Sequence, residues 1–187
     1  MPPKVRITKN DIVKTAVELV RASGEQTINA RAIASKLNCS TQPVFSNFST
    51  MDDLKKTVMS AAYEIYLKFL DEEAKNGKYP IYKAYGMAYI RFAAEERELF
   101  KFLFMRSRDD EDTTPSQDFE ASVQMIMKAN KVTEEKARLM HLEMWTCVHG
   151  IATMLATSFL SLEEELISNM LTDVYFGIRA RHLTEEK

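Results

Sequence analysis

Residues 29–48, NARAIASKLNCSTQPVFSNF, constrain the fold more than any other stretch: they read as two short helices joined by a sharp turn. In the first helix Ile33, Ala34 and Leu37 recur at one-turn spacing and make an apolar stripe. Asn29 precedes it, placed to accept orphan backbone donors as an N-cap. The helix is expected to end at Leu37, because Asn38 is second only to glycine in tolerating left-handed backbone. Cys39 then points inward and Ser40 caps the second helix. Pro43 falls in that helix's first turn, where its missing N–H costs nothing. Val44 and Phe48 face the core, which leaves Thr41, Gln42, Ser46 and Asn47 on the open side. Small hydroxyls and amides at the exposed end of a short helix suit the DNA major groove, since they reach base edges without holding the backbone away.

The pattern continues on both sides, with Ile12, Ala16, Leu19 and Gly24 in a preceding helix and Asp53-Leu54 opening a following one. Together with Ile33-Ala34, Leu37, Ser40-Thr41, Phe45 and Asn47-Phe48, this ordered set makes residues 10–54 resemble the tetracycline-repressor (TetR) family of bacterial transcription regulators. The resemblance implies an all-α chain of about nine helices. A three-helix helix-turn-helix domain would occupy 1–53, a linking helix would start near 50, and 54–187 would form a helical bundle for ligand binding and dimerisation. It implies a homodimer on a double-stranded DNA operator, with Thr41, Gln42 and Ser46 reading bases. Thr27, Arg31, Ser40, Phe45 and Asn47 would sit on the backbone, and Pro43 would complete the DNA-facing set. Arg31 also reads as a solvated helix residue, and Phe45 could instead pack on a sugar or a thymine methyl. Three residues depart from the family pattern: Phe45 where tyrosine is usual, Asn47 where histidine is common, and Met51 where a phosphate-contacting lysine is usual. These departures bear on phosphate affinity rather than on the fold.

A net charge of −2 looks wrong for a partner of DNA until it is divided along the chain. Residues 1–50 carry seven basic groups (Lys4, Arg6, Lys9, Lys14, Arg21, Arg31, Lys36) against three acidic ones (Asp11, Glu18, Glu25), leaving the other 137 residues with a balance of −6. The asymmetry is that of a polyanion-facing head on an acidic body. The arm at 1–7, with two prolines, reads either as a phosphate-tracking strand through Lys4 and Arg6 or as a solvated tail. Thr8 or Asn10 caps the first helix, and Gly24 ends it.

Beyond the head, Thr50 and Asp53 have the spacing of a capping box for a helix that runs to Lys75. Its length makes it the mechanical link: displacement of its far end would move the head and change the distance between two recognition helices, which half-sites about 34–36 Å apart tolerate poorly. Asn76-Gly77 breaks the chain, and Pro80 opens a tyrosine-rich helix with Tyr82, Tyr85, Tyr89 and Phe92 at three- and four-residue spacing. A dense apolar helix from Leu99 to Met105 follows. Residues 106–117 read as an exposed connection, without the glycine and alternating ligands of a calcium loop. A helix over 116–130 turns Phe119, Val123, Ile126 and Met127 inward.

Thr133 is expected to cap a helix reaching Phe159, and Ser161 with Glu164 a capping box for the last helix. The last helix is apolar on more than one face, so a second subunit is expected to cover it in a four-helix interface. Trp145, His149 and Gly150 resemble a Trp-His-Gly type of C-terminal domain in the same family, from about Tyr79 onward. An apolar effector cavity is expected among Tyr63, Tyr66, Tyr85, Tyr89, Phe92, Phe104, Met125, Trp145 and His149, because tyrosine and histidine offer a few polar points on an apolar wall. For each residue taken singly, core packing competes with that role.

No set of nucleophile, base and carboxylate at a motif spacing accompanies His141, His149 or His182, so an enzyme is not expected. With only Cys39 and Cys147, neither a zinc site nor a disulfide is expected. No cofactor follows from the sequence. No apolar run approaches a membrane span and the N-terminus lacks a signal peptide's apolar core, which makes the cytoplasm the expected location. The function expected is that of a repressor released by a small apolar or aromatic effector. The competing expectation is a helical protein-interaction module that has lost DNA binding.

Overall fold

The computed structural model describes residues 7–107 and 117–184, which form nine α-helices and no strand. The arm at 1–6 and the core of the polar connection, 108–116, lie outside the described residues. The chain divides into two compact units. One holds the described residues up to Lys68 together with Glu96–Arg106; the other holds Phe69–Glu95 and the described residues from Ser107 onward.

In the first unit, α1 (Lys9–Ser23) starts at Thr8, not Asn10. The Thr8 hydroxyl accepts from the Asp11 backbone N–H at 3.2 Å while the Asp11 carboxylate accepts from the Thr8 N–H at 2.9 Å. The Thr8 hydroxyl also donates to the Asp11 carboxylate at 2.6 Å, and this bond, followed by the one from the Thr8 N–H, holds the Asp11 carboxyl below its usual pKa. Gly24 stops the helix with φ 86°, a conformation that side chains with a Cβ avoid. A short 3-10 turn, Glu25–Thr27, leads to α2 (Ala30–Lys36) and α3 (Gln42–Asn47). Ile12, Ala16 and Val20 from α1, Ile33 from α2 and Val44 from α3 are all buried, each contributing the roughly 1.5–3 kcal/mol of a fully buried aliphatic side chain where it is that large.

This unit also includes residues beyond 53. The linking helix α4 (Met51–Asn76) contributes Leu54, Val58, Ala62 and Tyr66 to the buried set. The helix α6 (Arg97–Phe104) lies against α1. Its Leu99, Phe100, Phe102 and Leu103 are buried, and Glu96 accepts from Arg21 at 2.7 Å. A dense apolar helix needs a surface to cover, and the flank of α1 provides one.

In the second unit α5 (Ile81–Glu95), α7 (Gln117–Asn130), α8 (Glu134–Ala156) and α9 (Glu164–Thr184) pack together, α5 mainly on α8. Lys83 ties α5 to α9 by donating to the Ser168 and Thr172 hydroxyls, both at 2.7 Å. Thr133 caps α8 as expected, accepting from the Lys136 N–H. The helix stops at Ala156, short of the expected Phe159, because Ser158 takes a left-handed φ of 58°. The expected Ser161 box is also displaced. The first turn of α9 closes on the Glu163 carbonyl, which accepts from the Ile167 N–H at 3.1 Å, so Ser161 lies outside the helix. No helix among the described residues is long and apolar enough to cross a membrane.

Candidate nucleic-acid interface

Two bonds close the turn between α2 and α3. The Cys39 N–H donates to the Ala34 carbonyl at 3.0 Å and the Asn38 N–H to the Ser35 carbonyl at 3.2 Å, with Asn38 at φ 51°. This pair of bonds about one left-handed residue is a Schellman stop, and it fixes the direction in which α3 departs. Asn29 holds the other end of α2, its carboxamide oxygen accepting from the Ala32 N–H at 2.8 Å.

The cap of α3 differs from expectation. Thr41, not Ser40, is the N-cap, and it acts through its backbone carbonyl, which accepts from Val44 at 3.0 Å. Pro43 stands in the first turn, Val44 and Phe48 are buried, and Lys9 lies over the Phe48 ring at 4.8 Å. Gln42, Phe45 and Ser46 are exposed, with Thr41 and Asn47 half-buried beside them.

Hydrogen bonding narrows what each group can offer a partner. The Ser46 hydroxyl donates to the Gln42 carbonyl at 2.8 Å, which leaves its oxygen as an acceptor. The Asn47 amide donates to the Pro43 carbonyl at 2.8 Å, and the Thr27 hydroxyl to the Gly24 carbonyl at 2.6 Å. Phosphate oxygens need donors. With the Thr27 proton committed, the side-chain donors left among these candidates are Arg31 and Ser40, both exposed, and the second Asn47 amide hydrogen. Phe45, 59% exposed, has none to give. Met51 opens α4 half-buried, and Lys55 one turn on is engaged with Glu25.

The nine effector candidates are divided between the two units. Tyr63, Tyr66 and Phe104 belong to the first unit, where Tyr66 meets Tyr63 at 5.5 Å and Phe104 at 5.2 Å between ring centroids. Tyr85, Tyr89, Phe92, Met125, Trp145 and His149 belong to the second. There Phe92 is fully buried against Phe69, at 5.3 Å. Trp145 is 44% exposed and stacks on His149 at 5.2 Å and 17°. His149 Nδ1 is 2.8 Å from the hydroxyl of buried Tyr89. Two hollows open at the surface, of about 430 Å³ beside Glu25 and Met51 and about 560 Å³ beside Lys78 and Glu164, and none of the nine lines either.

A second Tyr–His pair carries chemistry that the candidate set missed. The Tyr82 hydroxyl stands 2.9 Å from His141 Nδ1, and the Phe119 ring meets the imidazole edge-on at 4.6 Å. Burial lowers the His141 pKa to about 4, so the ring is neutral and shares one hydrogen bond, of a direction set by its tautomer, with the phenol, which keeps its own proton. Burial, and secondarily Tyr175, raises the Tyr82 pKa and keeps that proton in place. His182, also buried, meets Glu143 at 3.1 Å. A signal existed: Tyr82 and Tyr89 are seven residues apart and His141 and His149 eight, so each set recurs after two turns on its own helix.

Residues 82–173 match the family model described as tetracyclin repressor-like, C-terminal domain. No curated protein matches the sequence. Among solved structures the chain is similar to a TetR-like transcriptional regulator from Rhodococcus sp. RHA1, with a TM-score of 0.67 at 14% identity, over 94% of this chain and 96% of that one. At that identity the likeness is one of fold.

Proposed function

This chain belongs to the tetracycline-repressor family through its residues 82–173, and on that premise we propose that it is a homodimeric transcriptional repressor. It holds a palindromic operator in the cytoplasm and lets go when a small apolar or aromatic effector binds. The observation that carries this reading is α3, a short uncharged helix fixed by the Schellman stop and presenting Gln42, Phe45 and Ser46 to solvent. Thr41, Gln42 and Ser46 read bases, and Arg31, Ser40 and Asn47 hold phosphates, with Thr27 accepting rather than donating.

The dimer is supported by apolar groups left exposed on the single chain. Leu139, Leu142, Trp145 and Met154 stand out from α8, and Leu166 and Phe176 from α9. Their removal from water favours pairing about a twofold axis. The effector acts by favouring a spacing between recognition helices that two half-sites do not fit. The protein works by binding and turns over no substrate.

Duplex binding measured against salt tests the proposal. Neutralised phosphates release counterions, so affinity for a selected duplex should fall steeply as salt rises. Failure of the full chain to retain any duplex at low salt would leave the second reading, a protein-interaction module. The absence of charge on α3, with Phe45 and Met51 where phosphate-holding groups are usual, is what favours that alternative.

A further inference from the structure

Phe45 is the least expected group on α3. It is a large apolar ring, 59% exposed, while Val44 beside it and Phe48 just past the helix end are buried. It follows Gln42 by three residues, so the two share a helix face, with Cβ atoms about 5–6 Å apart. Gln42 is exposed, and the neighbouring hydroxyl of Ser46 has its proton committed to the helix. Besides the Ser46 oxygen, an acceptor, the open face of α3 therefore offers one extended amide and one apolar plate, and no charge.

The major groove has one complement for each. A carboxamide pairs with adenine through N6 and N7, and an apolar group meets the C5-methyl of thymine. An A·T pair displays both. Helical spacing of about 5–6 Å against a base-pair rise of about 3.4 Å sets the two contacts within about two base pairs of each other. Resting on the regulator reading above, we infer that Phe45 is a base-reading residue, not a backbone anchor. With Gln42 it selects an A·T step in each half-site, Gln42 on adenine and Phe45 on a thymine methyl.

The test uses the purified full chain and two random-core duplex libraries, one amplified with dTTP and one with dUTP, which differ only by the methyl. The duplex selected from the thymine library should carry A·T pairs at adjacent half-site positions. Its uracil version should bind about fourfold more weakly for each methyl that Phe45 covers, the factor belonging to one buried methyl-sized group. Phe45→Ala should weaken binding and abolish the thymine-over-uracil preference, and Gln42→Ala should do the same for replacement of adenine by 7-deazaadenine. Equal binding of the thymine and uracil duplexes by the unaltered chain would overturn the inference, whether or not the variants fold. Persistence of the methyl preference in a folded Phe45→Ala protein would do so as well. Retention of no duplex from either library would instead remove the regulator reading itself, and this inference with it.

Discussion

Acidification should destabilise the protein through His141, and the size of the effect follows from the geometry. In the folded chain the imidazole is buried between Tyr82 and Phe119, and its pKa stands at about 4 against an unfolded value of 6.5. Between those values the unfolded state binds the extra proton, so stability rises with pH and is lost as pH falls. Above about pH 7 the ring is neutral in both states and His141 contributes no pH dependence. Fully developed, the difference corresponds to about 3 kcal/mol, of which about 2 kcal/mol is lost by pH 5.

The assay compares urea unfolding of the unaltered chain and His141→Asn at about pH 7.5 and pH 5, since asparagine keeps an acceptor near the place of Nδ1 but does not titrate. The variant is expected to be less stable at the higher pH and to lose about 2 kcal/mol less than the unaltered chain on going to the lower one. Other groups titrate in both proteins and cancel in the difference. An equal loss in the two proteins would refute the reasoning, as would a His141 imidazole titrating near 6.5 by NMR in the folded chain.

Two further outcomes are expected. Asn29→Ala removes the side-chain cap of α2 and should cost about 0.5–2 kcal/mol in chemical unfolding, with duplex affinity falling because α3 is oriented by the helix it follows. Leu142→Glu puts a charge on the exposed apolar face of α8, and light scattering after size-exclusion chromatography should show the dimer giving way to monomer while helix content stays unchanged.

The helix-turn-helix was legible because its determinants are local. The Asn29 cap, the Asn38 stop, Pro43 in a first turn and the inward pair Val44 and Phe48 each depend on residues within a few positions, and the structure places all of them as read. The failures are also physical. Ser40 and Ser161 match cap chemistry, but the helices start two and three residues after them, at Gln42 and Glu164, where the chain direction allows the first turn to close. Placing α6 in the head required knowing that the flank of α1 is open, which is a property of the folded surface. The aromatic candidates chosen as a cavity lining were set by composition and spacing. Contacts across about sixty positions, such as Tyr89 with His149 among them and Tyr82 with His141 outside them, could not be read in that way. Glu143 with His182 spans 39 positions and leaves no local trace.

The insertion of Phe69–Glu95 before α6 bears on how the protein is made. On the ribosome α1 to α3 emerge before α6, so the piece that shields α1 arrives only after that excursion, a few seconds later at about 5–20 residues per second. Until then a nascent head exposes a sticky flank, an opening for chaperones. Any clone cut after Lys68 would carry that bare flank permanently.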